Sequence, residues 1–201
     1  MKYLLLLSIF LTACAASEAP PAYLMRLGSS YAWRCGGYAI DPHHIITAAH
    51  CGWLTKAQTN EGVTVNVELM AEWPEIDTAL YQTDGYLGLD SYAALRPMEP
   101  SEPAYAFGYC PLWDSTAARF AQYVGTETEP LYCHELHLAG AWICSGDSGG
   151  VIEQGGAVVG MIAQFRGNPL ASNNGRTFAH ATCAVPGEAI ARRVEKWRRE
   201  R

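Results

Sequence analysis

Three stretches of this chain carry residues whose types and spacing could do chemistry together. Cys144-Ser145-Gly146-Asp147-Ser148-Gly149-Gly150 sets a serine among small, turn-forming residues. Taken alone, such a run reads equally well as a surface turn. Two upstream stretches change that reading: Ile46-Thr47-Ala48-Ala49-His50-Cys51 and Glu75-Ile76-Asp77-Thr78-Ala79-Leu80. A serine hydroxyl is a weak nucleophile at neutral pH and needs a base within hydrogen-bond reach to take its proton. An imidazole suits the task because it titrates near the working pH, and a carboxylate behind it holds the useful tautomer. Histidine, then aspartate, then serine is one known chain order for a base, orienter and nucleophile. A lone histidine is more often a satisfied core residue, and a lone aspartate a turn or cap. The setting of His50 between Ala49 and Cys51, and the apolar flank Ala79-Leu80-Tyr81 behind Asp77, favour the chemical reading.

At these residues the chain resembles the chymotrypsin/trypsin family of serine peptidases. The matching pieces run from Cys35 to Cys51, from Glu75 to Tyr81 and from Cys144 to Gly150, in the family's order. The resemblance implies Ser148 as nucleophile, His50 as general base and then acid, and Asp77 as orienter. The backbone N–H groups of Gly146 and Ser148 would meet the developing oxyanion. It implies an all-β fold of two six-stranded antiparallel Greek-key β-barrels with a C-terminal α-helix. His50 and Asp77 would sit on the first barrel and Ser148 on the second, with the site in the cleft between them. It implies bridges Cys35–Cys51 and Cys144–Cys183, with Cys110 and Cys133 left over as a third pair. The substrate would be a peptide or protein, with no cofactor and no metal.

The chain departs from the family pattern in three places. Members made as zymogens begin their mature chain with Ile-Val-Gly-Gly upstream of the first bridge, and no such sequence stands here. Activation by insertion of a new N-terminus is therefore not expected, and Asp147, which pairs with that terminus in those members, needs another partner. Second, the pocket floor lies six residues before the serine in the family; here it is Trp142, followed by Ile143. Without an acid there, a preference for Arg or Lys is not expected, and the indole leaves a shallow apolar pocket or fills it. Third, Ala163-Gln164-Phe165 occupies the substrate-pairing strand where Ser-Trp-Gly is common, and Phe165 would narrow the mouth. The leading expectation is a serine endopeptidase without Arg/Lys specificity. A catalytically weak, protease-like binding module on the cell surface stands beside it, because Trp142 and Phe165 could close the pocket. An esterase is disfavoured because the serine does not sit in an elbow leading into a helix.

The elements that must position these residues are short strands. Met25–Leu27, Tyr31–Arg34, Tyr38–Ile40 and Ile45–Thr47 read as strands, with Gly36-Gly37 as a bend between two of them. Val63–Leu69 alternates with period two, the mark of a half-buried strand. Ala79–Tyr81, Ala104–Tyr109, Gln122–Thr126 and Ala157–Gln164 follow, and 168–175 reads as a polar loop. Arg96–Pro103 carries three prolines and looks like the connector between two halves. Ile190, Val194 and Trp197 fall on one stripe of a terminal helix. His134-Glu135-Leu136-His137 is one residue short of a zinc motif and reads as a loop. His43-His44 reads as exposed.

The 201 residues carry a formal net charge of −6, which argues against a nucleic-acid partner. From Glu188 onward the sign reverses, with six Arg or Lys against three Glu. A solvated helix face is the plain account of that cluster. Lys2 and the apolar run Leu4 to Leu11 read as a signal peptide over 1–13. Leu11-Thr12-Ala13-Cys14 resembles a bacterial lipobox, with Cys14 as the lipid-modified residue; ordinary cleavage within Ala13-Cys14-Ala15 stays open. The domain reading is a lipid-anchored tether over 14–24, a first barrel over 25–100, and a second barrel with the helix over 101–201. The expectation is an exported monomer, periplasmic or at the cell surface. Lipid would hold it to the membrane, the outer one in a Gram-negative host; otherwise it is secreted. Six cysteines besides Cys14 fit an oxidising compartment.

Overall fold

The computed structural model describes residues 19–30, 32–110, 115–125, 134–137, 143–144, 146–166, 172–173, 176–179 and 181–201, with side chains outside 110–145 and 164–183. Six strands form the first half: β1 (Leu24–Gly28), β2 (Trp33–Asp41), β3 (His44–Ala48), β4 (Lys56–Thr59), β5 (Thr64–Trp73) and β6 (Thr78–Thr83). They pair antiparallel in the order β1-β2-β3-β6-β5-β4, and β4 returns to β1, closing a barrel. The barrel begins at Leu24, one residue earlier than the sequence reading, and Tyr23 just before it is already buried. Closure removes the exposed strand edges that an open sheet would leave.

The second half contributes β7 (Ala104–Cys110), β8 (Ser115–Gly125), β9 (His134–His137), β10 (Ile143–Cys144), β11 (Val151–Gln154), β12 (Ala157–Arg166), β13 (Ser172–Asn173), β14 (Arg176–Ala179), β15 (Ala181–Pro186) and helix α1 (Gly187–Arg199). A second sheet runs β11-β12-β15-β9-β8-β7, and β7 also pairs with β11. The architecture is thus all-β with one closed six-stranded barrel, a second sheet and a C-terminal helix among the described residues. One apolar cluster spans both halves, taking in Leu27, Ile46 and Leu80 from the first and Phe107, Val151 and Met161 from the second. Ile190 and Val194 of α1 join the same cluster, with Trp197 packed at its edge, as their helical spacing requires.

Several sequence expectations change. Gly36 and Gly37 lie inside the continuous strand β2 and make no bend. Their missing side chains serve close packing: a Cβ on Gly37 would collide with Leu27 and Ile46, and one on Gly36 would lie 3.0 Å from the Gly150 nitrogen. His134–His137 is strand β9, paired with β8 and β15, where a loop was expected. Within 168–175, Ser172 and Asn173 form a short strand against β14. His44 is half-buried: its ring nitrogen Nδ1 lies 2.8 Å from Asp41, and its ring meets Trp197 edge-on at 5.3 Å. In β5 a register shift between Leu69 and Ala71 breaks the alternation, leaving Leu69 41% exposed while Met70 packs against the core.

The proline-rich connector is held by one buried amide. Gln154 of β11 is fully buried, accepts from the Glu99 N–H at 2.9 Å, and donates to the Glu99 and Glu102 carbonyls at 2.9 Å each. Gln154→Ala removes all three bonds and opens a cavity at a buried site. The expected loss is about 1–3 kcal/mol in urea unfolding, with faster proteolytic nicking near Glu99; an unchanged midpoint would refute this role.

Candidate active site

Each element that carries a predicted site residue holds it through backbone bonds. The 3-10 turn Ala49–Cys51 follows β3 and presents His50. Cys51 is bridged to Cys35 of β2, and beyond it Gly52 accepts a hydrogen bond from the Tyr81 hydroxyl at 2.7 Å. A second 3-10 turn, Pro74–Ile76, ends at Asp77, whose φ of 48° and ψ of 45° make it the one non-glycine residue with positive φ among those described. A left-handed conformation costs on the order of 1 kcal/mol, and aspartate is among the few side chains that visit it routinely. Here it allows one carboxylate to reach two donors. Oδ1 accepts from the His50 backbone N–H at 2.9 Å, and Oδ2 lies 2.7 Å from His50 Nδ1. The Asp77 carbonyl also accepts from the Ala49 N–H at 3.0 Å. The aspartate thus bonds both the backbone of the turn that carries His50 and the imidazole itself, where sequence had set a turn residue and an orienter against each other.

Ser148 arrives from the other half. Its Oγ lies 2.9 Å from His50 Nε2, so the structure brings His50, Asp77 and Ser148 into one hydrogen-bonded line. With Nδ1–H donating to the carboxylate, Nε2 is left as the acceptor for the serine hydroxyl. The loop around the serine is pinned from two sides. Its Ser148 carbonyl accepts from the Gly36 N–H at 2.8 Å, and the Gly149 N–H donates to the Ile162 carbonyl at 2.7 Å. Thr47, fully buried, donates its hydroxyl to the Gly36 carbonyl at 2.7 Å and locks that strand from behind. Gly149, at φ +80°, fits only because it lacks a Cβ, which would collide with the Gly36 carbonyl and the Thr47 hydroxyl. Sequence reading took Gly36 for part of a bend and Thr47 for the end of a strand, and tied neither to the site. The available signal was a buried polar residue in the apolar run Ile45-Ile46-Thr47-Ala48.

Gly146 has a φ of 114° and is buried. Among the described residues no acceptor takes the amide of Gly146 or Ser148, while those of Gly149 and Gly150 are both spent on carbonyls. Asp147 is fully buried and packs on Gly108, where a Cβ would lie 2.5 Å from its Oδ1. Ala163 is buried in β12, at a register shift between Ile162 and Gln164. The backbones of Ile143, Gln164 and Phe165 are strand, but their side chains lie outside the described residues, as does Trp142 altogether. Of the cysteines, Cys35 and Cys51 form the expected bridge. The side chains of Cys110, Cys133, Cys144 and Cys183, and Cys14, the expected lipid site, lie outside the described residues. No group of three His, Cys, Asp or Glu able to hold a metal occurs among the described residues.

With these features in place, the fold is that of the trypsin-like serine proteases. Kallikrein-related peptidase 10 superposes with a TM-score of 0.73 at 16% identity, over 90% of this chain and 97% of that one. The HtrA-type protease AlgW superposes with a TM-score of 0.67 at 16% identity, over 85% of this chain and 58% of that one. In sequence the chain is similar to Trypsin eta of Drosophila melanogaster, 27% identical over 182 residues, 69% of this chain and 70% of that protein. No family model matches. The relatives and structural neighbours, trypsin, kallikrein and HtrA among them, are serine proteases, and the chain is similar to them in sequence and in fold.

The hydrogen bond from Asp77 raises the His50 pKa above its ordinary value; partial burial pulls the other way and is outweighed. The imidazole should therefore titrate, by NMR of its C2 proton, above about 6.5. In Asp77→Asn the supporting charge is gone while burial, which lowers the value, remains, so the midpoint should fall. A midpoint unmoved by that substitution would mean that the carboxylate does not govern the ring.

Proposed function

We propose that the protein is a serine endopeptidase that cleaves peptide bonds through an acyl-enzyme on Ser148, and that it carries two six-stranded Greek-key barrels with this site in the cleft between them. The observation that carries the reading is the continuous line Asp77 Oδ2–His50–Ser148 Oγ, at 2.7 and 2.9 Å. His50 Nε2 takes the hydroxyl proton as Oγ attacks the substrate carbonyl carbon. Charge moves onto the carbonyl oxygen, where the amides of Gly146 and Ser148 would donate; one such donor is worth a rate factor of about 10² to 10³. The imidazolium, steadied by Asp77, then gives its proton to the leaving amine. Water repeats the cycle on the ester, and Ser148 is regenerated.

The substrate peptide would add as a strand beside β12, held by backbone hydrogen bonds. Trp142 and Ile143 stand at the specificity pocket by resemblance, with Ala163, Gln164 and Phe165 along its wall, and no acid replaces them as a floor. Cleavage after Arg or Lys is therefore not favoured. The Cys35–Cys51 bridge and the N-terminal apolar run support an exported protein, with Cys14 as the proposed lipid site. No helix among the described residues is long and apolar enough to cross a membrane.

A fluorophosphonate probe tests the reaction class on folded, oxidised protein. Labelling should fall on Ser148 and vanish in Ser148→Ala, while His50→Ala should lower turnover by about 10⁴-fold or more. Activity should rise with pH through the His50 midpoint, since only the neutral ring accepts the proton. Absence of labelling would instead favour the binding-module reading. A peptide library should return cleavage sites not enriched in Arg or Lys; strong enrichment would overturn the pocket assignment.

A further inference from the structure

Away from the serine, α1 turns one face toward a groove that the proposed reaction does not use. Arg192, Glu195, Lys196 and Arg199 recur at i, i+3, i+4 and i+7, so they share a helical stripe. The buried face, with Ile190 and Val194, points elsewhere. The charged stripe lines a cavity of about 340 Å³ whose other wall is Ile76, in the turn that ends at Asp77. Arg193 also lines it and pairs with Glu75 of that turn at 2.6 Å. Four cations and one carboxylate thus face one hollow, in a chain whose net charge is −6.

The helix dipole accounts for cations in the last turn, where Lys196, Arg198 and Arg199 stand. It does not account for Arg192 and Arg193, a turn earlier. Arg193 is tightly paired with Glu75, but the other three cations are not held so closely within the protein. Arg192 reaches Glu188 only at 4.0 Å and Lys196 reaches Glu200 at 3.7 Å, both half-exposed i, i+4 pairs. Such pairs are worth a few tenths of a kcal/mol and yield easily to a better anion. Arg199 has no ion pair among the described residues.

We propose that this groove is a binding site for a ligand bearing two or more phosphate or sulfate groups. At about 1.5 Å of rise per residue, Arg192 and Arg199 are roughly 10 Å apart along the axis. That span exceeds one phosphate and suits two linked anionic groups. The arginine forks give bidentate donors and Lys196 a point charge between them. A free ligand and a lipid headgroup present the same recognised chemistry.

Calorimetric titration of the native chain with inorganic pyrophosphate and with orthophosphate, at constant ionic strength, tests the site. Pyrophosphate should bind saturably to one site and more tightly than orthophosphate. The double substitution Lys196→Gln with Arg199→Gln should weaken it about tenfold or more. Arg198→Gln with Arg201→Gln removes the same net charge from the end of α1 and a residue just beyond it, outside the groove, and should leave binding unchanged. Thermal melts establish that both variants are folded. Vesicles of phosphatidylglycerol and phosphatidylcholine, against phosphatidylcholine alone, separate the two sources. Retention lost in the groove variant assigns a headgroup, and pyrophosphate binding without vesicle retention assigns a free ligand. Failure to saturate, or equal weakening by both variant pairs, would overturn the proposal and leave a solvated cationic helix.

Discussion

The site depends on a seam without side chains. Gly36 of the first barrel donates its N–H to the Ser148 carbonyl, and Gly149 lies so close to the Gly36 carbonyl that no Cβ fits between them. A hydroxyl and an imidazole 98 residues apart in the chain meet at 2.9 Å because two backbones touch there. Any side chain at the contact would hold the halves apart by its own thickness. A misplacement of even about 1 Å is costly to an oriented reaction. Thr47 and the Cys35–Cys51 bridge flank the seam on the barrel side, and Ile162 holds the loop from the second sheet.

The base is positioned by a different device. Asp77 adopts a left-handed conformation at the end of a 3-10 turn, and that geometry splits its two oxygens between the backbone and the ring of His50. One carboxylate therefore contacts both the backbone and the ring of the histidine, and a carboxylate at Nδ1 favours the tautomer with the proton on that nitrogen. One modestly strained residue does the work of two, and the cost on the order of 1 kcal/mol is offset by a charge-assisted bond. Because Arg193 pairs with Glu75 in the same turn, α1 contacts the element that ends at Asp77. The proposed anion groove and the proposed catalytic line thus share a wall.

The residues proposed to do chemistry were the most legible part of the sequence, because each stands in a short run whose types are hard to explain otherwise. The alternating strand around Val65 and Val67 and the stripe Ile190, Val194, Trp197 were legible for the same reason: burial on one face leaves a period. Strands β4, β9 and β15 were not, since Lys56–Thr59 is mostly polar, and Ala181–Pro186 is short and made largely of small residues. Gly36-Gly37 misled because glycine signals two things, a turn or a close approach, and only the packed structure distinguishes them. The groove on α1 was half visible: the charges could be counted, but the opposing wall of Ile76 comes from a distant segment.

The proposed reaction stands or falls on Ser148 Oγ being the atom that attacks. The most direct measurement is mass spectrometry of native, oxidised protein quenched during turnover of a slowly deacylating ester. The account requires one acyl group, located on Ser148, forming faster as His50 loses its proton. Acylation at another residue, or at Ser148 with a rate indifferent to the state of His50, would contradict it.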